Sequence, residues 1–196
     1  MIKKIFVFLV MVGLVYGYGL GMNEYEVDIA HSSISFKISH MVVSKVRGNF
    51  KDFSVTIKED PNDITKSSVA VVIKTASIDT DNEKRDNHLR SADFFDAEKY
   101  PEITFRSSRI EKKGDAYIAV GTLDMHGVSK EITIPFEITG KMQDPWGNTR
   151  AGIEASTQLD RKDYGLNWNK TLDKGGLLVG NEVKIEIFLE MVGKKK

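Results

Sequence analysis

The sequence predicts an all-β protein of antiparallel strands. Apolar residues recur at every second position along most of the chain, and helical periodicity is confined to one short stretch. Turn-forming residues also separate the alternating runs, as expected of strands joined by hairpins rather than through helices.

Successive side chains of a strand point to opposite sides, so an alternating run has one buried and one wet face. Tyr25 to Ile29 opens the series. Between Ser33 and His40, Ile34, Phe36 and Ile38 alternate with Ser33, Ser35, Lys37 and Ser39. Phe53, Val55 and Ile57 follow against Asp52, Ser54, Thr56 and Lys58, then Val69, Val71 and Ile73 up to Lys74. Ile103 and Phe105 continue the pattern, as do Ile132, Ile134, Phe136 and Ile138. Pro135 lacks a ladder donor, which predicts an edge or a bulge there. Val183, Ile185, Ile187, Leu189 and Met191 make the clearest run. Ala116 to Met125 and Arg150 to Leu159 read as strands with smaller or mixed residues. The total is about eight or nine strands.

Lys112-Lys113-Gly114-Asp115 reads as a hairpin loop, and Glu59 to Asp63 and Asp144 to Asn148 as longer connections. Asp81 to Ser91 is polar, contains neither glycine nor proline, and follows Asp79 and Thr80, either of which suits an N-cap; it is the one predicted helix.

Such a pattern fits a sandwich or a closed barrel. Strand length favours the barrel. At ~3.3 Å per residue and a tilt near 40°, a ten-residue strand gives a tube roughly 25 Å tall, either packed solid with side chains or holding one elongated apolar ligand.

The chain has 196 residues, which suits one domain. Its 28 basic residues balance 28 acidic ones, so no bulk field exists to gather nucleic acid or an anionic membrane. Lys3 and Lys4 precede an uncharged apolar run from Ile5 to Leu20 ending among glycines, the layout of a signal peptide over residues 1–21. The run falls short of the ~20 apolar residues of a spanning helix. The expectation is export to the periplasm or beyond, with residues 22–196 as the mature domain and no stable membrane insertion after cleavage. Cysteine is absent, which removes disulfides and a lipidated N-terminal cysteine.

Four stretches go beyond pattern: Phe36 to Phe50 (FKISHMVVSKVRGNF), Asp86 to Ser107 (DNHLRSADFFDAEKYPEITFRS), Leu123 to Val128 (LDMHGV) and Arg161 to Leu166 (RKDYGL). Together they resemble the YceI-like family of exported polyisoprenoid-binding proteins, over about Tyr25 to Met191. The resemblance implies an extended, antiparallel, eight-stranded lipocalin-like barrel with one short helix. It also implies a long isoprenoid chain inside, with quinone-type or prenyl-phosphate-type lipids as candidates. Each CH₂ withdrawn from water is worth ~0.8 kcal/mol, so such a tail needs a dry tube to stay in an aqueous compartment.

The inward stripe comprises Phe36, Ile38, Phe53, Val55, Ile73, Phe105, Ile134, Phe136, Ile153, Ile185 and Ile187. Pattern alone favours a solid core made of these residues; the resemblance turns them into a lipid-binding wall. His40, Arg85, Arg90, His126 and Arg161 are candidate contacts to a lipid head at the mouth. His31, His40, His88 and His126 show no ligand spacing, so no metal is expected. Nothing marks a nucleophile, a phosphate loop or a dinucleotide site, so neither catalysis nor a cofactor is expected. Two alternatives stand beside the carrier: an enzyme acting on an isoprenoid lipid through His40, His126 or Asp79, and a packed barrel serving as a protein-interaction module. Pairing into a homodimer is left open.

Overall fold

A computed structural model describes residues 21–171 and 177–194. The predicted leader lies almost wholly outside them. The strands are β1 (Asn23–Val27), β2 (Ser33–His40), β3 (Ser44–Phe50), β4 (Phe53–Glu59), β5 (Ser68–Lys74), β6 (Ile78–Asp79), β7 (Glu102–Lys113), β8 (Ala116–Met125), β9 (Val128–Gln143), β10 (Thr149–Asp160) and β11 (Val179–Gly193), with helix α1 (Glu83–Arg90) between β6 and β7.

All ladders are antiparallel, and β1, β4, β5, β7, β8, β9, β10 and β11 pair in a closed ring of eight, sealed where Tyr25 to Val27 meet Met191 to Gly193. The strand β2 also pairs with β11, and β3 with β2. Thus β1 and β2 occupy one barrel position in succession, as do β3 with β4 and β5 with β6. A 3₁₀ turn at Ile29–His31 and another at Thr75–Ser77 mark two of these breaks. The eight-stranded barrel expected from the sequence is present; the short strands are interruptions of its long staves.

Alternation decides what is inside. Tyr25, Val55, Ile73, Ile103, Phe105, Leu123 and Met191 form a buried cluster. Further along the tube the inward side chains Phe36, Ile38, Ile134, Phe136, Ile153, Ile185 and Ile187 are only half-buried, because the interior beside them is open.

Pro135 marks a local edge, as expected, and not a bulge. It pairs with Ile118 in the β8–β9 ladder, while the β9–β10 ladder ends one residue away at Phe136 opposite Ala155. The missing N–H stops that ladder, and the register shift lies further along, at Gly152/Ile153. The helix starts at Glu83, and its N-cap is Asn82, whose side chain accepts from the Arg85 N–H at 3.0 Å, rather than Asp79 or Thr80. Asp79 instead accepts from the Asp81 N–H, and Thr80 donates to the buried Asp86 carboxylate.

Candidate functional site

The barrel encloses a cavity of about 580 Å³. Its wall is hydrocarbon over most of its length, supplied by the inward faces of nearly every strand. Of the eleven wall residues expected from the sequence, ten border it. Phe53 does not: it is buried in the cluster across the ladder from Ile73.

One end of the tube, called upper here, carries the β2–β3 hairpin. Helix α1 and the segment after it extend the wall there with Arg85, His88, Leu89, Phe94 and Phe95. The rings of His88, Phe94 and Trp168 pack together, with centroids 4.9 to 5.1 Å apart. Phe95 stands edge-on to Phe50 at 6.2 Å, and Phe50 leans on Phe36 at 5.9 Å. Phe94 and Phe95 follow no strand period, and only their place in the Asp86 to Ser107 stretch signals them.

The candidate head-group contacts divide. His40, Arg85 and Arg161 border the cavity. Arg90 and His126 serve the scaffold. Arg90 donates to the Ala76 and Ile78 carbonyls, both at 2.8 Å, and His126 Nδ1 lies 2.9 Å from the Tyr164 carbonyl. Arg85 is held by Thr80, through Nε to the hydroxyl and through a terminal nitrogen to the carbonyl, both 2.7 Å.

Arg161 is the unusual group. It is 3% exposed and opens the 3₁₀ turn Arg161–Tyr164 after β10. Its Nε donates to the Gly180 carbonyl at 2.8 Å and Nη1 donates to the Leu166 carbonyl, while Nη2 has no hydrogen-bond partner among the described residues. Burial pushes its pKa below the ordinary arginine value, opposed by the charge of Asp160. Among the described residues no carboxylate forms an ion pair with it. A buried cation with a free N–H therefore borders a hydrocarbon cavity, an arrangement costly unless something accepts that bond.

At the lower end Glu59 accepts from Lys141 at 2.8 Å and from Asn23 and Tyr25, each at 3.2 Å. Burial disfavours the Lys141 charge, but its bonds to Glu59 and Tyr25 prevail and its pKa is raised. Polar groups thus close that end by satisfying one another. Elsewhere Asp28, His31 and Glu190 come within a metal ion's reach of each other, yet Arg150 already pairs with both carboxylates, so the positive charge there is supplied by the protein.

The YceI-like domain pattern matches residues 25–191, nearly the whole barrel. The UPF0312 protein of Vibrio campbellii is 36% identical over 197 residues, covering 99% of both chains. The chain belongs to the YceI-like family. The crystal structure of the Campylobacter jejuni YceI protein superposes with a TM-score of 0.68 at 35% identity, covering 82% of this chain and 91% of that one. A polyisoprenoid-binding domain from Saccharophagus degradans shares the fold, with a TM-score of 0.64 at 17% identity over 87% of this chain and 98% of that one.

Proposed function

We propose that this YceI-like protein binds a polyisoprenoid lipid, an isoprenoid quinone or prenyl lipid, inside its barrel and carries or stores it in the periplasm or outside the cell. The observation that carries the reading is a closed hydrocarbon tube bordered by a buried guanidinium, one of whose terminal nitrogens has no partner among the described residues. That combination matches a molecule with a long apolar tail and a single polar end bearing an acceptor. The Saccharophagus domain of the same fold, named for polyisoprenoid binding, supports the tail assignment.

The hollow interior argues against a packed barrel acting only through its loops. Binding also suits the site better than catalysis. His126 and Asp79 are committed to backbone partners, and among the described residues the ring of His40 makes no hydrogen bond or ion pair with an acid or a hydroxyl. Affinity stays well below the sum of buried area, because the tail loses freedom and large ligands seldom exceed ~0.3 kcal/mol per heavy atom.

The test is native mass spectrometry of the purified protein, then solvent extraction and identification of what is released. A species with isoprene-spaced mass is expected. A clean apo mass with no saturable uptake of added quinone or prenol would overturn the reading. Arg161→Gln should weaken a head-bearing prenyl lipid more than a plain hydrocarbon of equal length.

A further inference from the structure

We propose that the tip of the β2–β3 hairpin docks the upper mouth of the barrel onto an anionic lipid bilayer. The tip is Met41-Val42-Val43, with Val42 84% and Val43 82% exposed. Met41 and Val42 are in the left-handed region, at φ 50° and 65°. Glycine or asparagine suits that conformation at little cost, whereas a β-branched residue there is an outlier. The turn thus forgoes favourable turn chemistry and presents two valines to water. A broken local rule of this kind marks a site where function outweighs stability. The Met41 N–H, bonded to the Leu178 carbonyl at 2.8 Å, fixes the tip against the start of β11.

Charge supplies the second argument. Beside the tip is a recess bordered by His40, Lys45, Val46, Arg47, Thr80, Asp81 and Arg85, in which cations outnumber the one acid. Among the described residues neither Lys45 nor Arg47 has an ion-pair partner. At the lower end the contrast is clear: Lys141 pairs with Glu59, Arg150 with Asp28, Asp144 and Glu190, and Lys194 with Glu24 and Glu26. Small apolar side chains flanked by unpaired cations match the boundary between acyl chains and anionic head groups. A second copy of the chain fits poorly, because a two-fold contact would set Lys45 and Arg47 against their own counterparts.

Position supplies the third. His40, Val46 and Arg85 border both the recess and the large cavity, so the basic surface is continuous with the upper end of the tube. The purpose of docking rests on the carrier reading: a tail passing between bilayer and barrel at a seated mouth does not cross water. The docking itself is measurable with no isoprenoid present.

The chain from residue 22 onward contains every strand of the barrel, so the test uses it without the apolar leader. It is co-floated with phosphatidylcholine vesicles, plain or with roughly a third phosphatidylglycerol. Binding to the anionic vesicles is expected, falling roughly tenfold or more in Val42→Asp/Val43→Asp, by a similar factor in Lys45→Ala/Arg47→Ala, and with added salt. Trp146→Ala, at the lower end, should bind as the parent does. All these positions are exposed, and unchanged thermal melts would show intact folding. Three results would overturn the proposal: no binding by the parent, equal binding by Val42→Asp/Val43→Asp, or a dimer of the parent that this variant abolishes, which would make the tip a self-association surface. Uptake of detergent-solubilised quinone, measured in parallel, separates failure of docking from failure of the cavity reading.

Discussion

Gly48 lies directly across the β2–β3 ladder from Phe36, and a methyl group placed on Gly48 would come within 2.5 Å of the Phe36 ring and 2.7 Å of the Thr80 methyl. The ring covers the bare backbone of its neighbour, an aromatic filling the space a glycine leaves. Gly48→Ala should therefore push Phe36 off its position, at a cost of about 1–3 kcal/mol in chemical denaturation. Because Phe36 borders the cavity, lipid uptake should fall with it.

Gly121 is the harsher case. A Cβ there would meet the Arg106 carbonyl oxygen at 2.2 Å, next to the register shift between Ser107 and Arg109. Backbone cannot swing aside as a ring can. Gly121→Ala should destabilise the protein more than Gly48→Ala in the same denaturation assay, and amide exchange across the β7–β8 ladder should accelerate locally.

Two aliphatic truncations should differ in a way a solid core would not permit. Met191 is 0% exposed, and Met191→Ala should cost about 2–5 kcal/mol. Both side chains border the cavity, but Ile185 is only half-buried, so Ile185→Ala leaves fewer contacts to lose and should cost less, about 2 kcal/mol or below. Equal losses in paired denaturation curves would mean that Ile185 is packed.

Asp144 gives the stability an acid limb. Its carboxylate accepts from the Trp146 and Asn148 N–H groups at 3.0 and 2.8 Å, from the Asn148 side chain at 3.0 Å and from Arg150 Nε at 2.9 Å. Burial works to raise its pKa, but these bonds outweigh burial and bring it down from 3.8 to about 2. A folded pKa below the unfolded one means a contribution fully present above about pH 4 and lost as pH falls toward 2. Thermal melts across that window should show the parent losing stability more steeply than Asp144→Asn. Parallel curves would remove Asp144 as a source.

The staves of the barrel were legible because period two survives wherever one face is buried. The Ser33 to His40 and Val183 to Met191 runs appear as strands with the expected faces. What escaped the sequence was what depends on long-range meeting. Nothing local shows that β1 and β2 share one position, since their continuity is defined by β11, far along the chain. The N-cap was misplaced because Asp79, Thr80 and Asn82 are all competent caps, and only the burial of Asp86 commits Thr80 elsewhere. In the sequence Arg90 and Arg161 are equivalent, two candidate head-group contacts at the mouth. Their fates differ because one finds only carbonyls of its own neighbourhood and the other is sealed against the cavity with a nitrogen to spare.

The seam between β1 and β11 sets the order of events during folding. The ring closes only when Tyr25 to Val27 find Met191 to Gly193, and the Lys194 N–H is bonded to the Glu24 carbonyl at 2.7 Å. A nascent chain emerging N-terminus first can zip β2 to β3 and β4 to β5 early, since those hairpins are local. Without β11, however, β1 and β10 each lack a ladder, and the tube remains an open, curled sheet with its apolar face toward water. Closing it demands contacts spanning nearly the whole chain, the slowest kind to form. The enclosed cavity is therefore the last part of the molecule to come into existence, and truncation by even the final strand should leave no cavity at all.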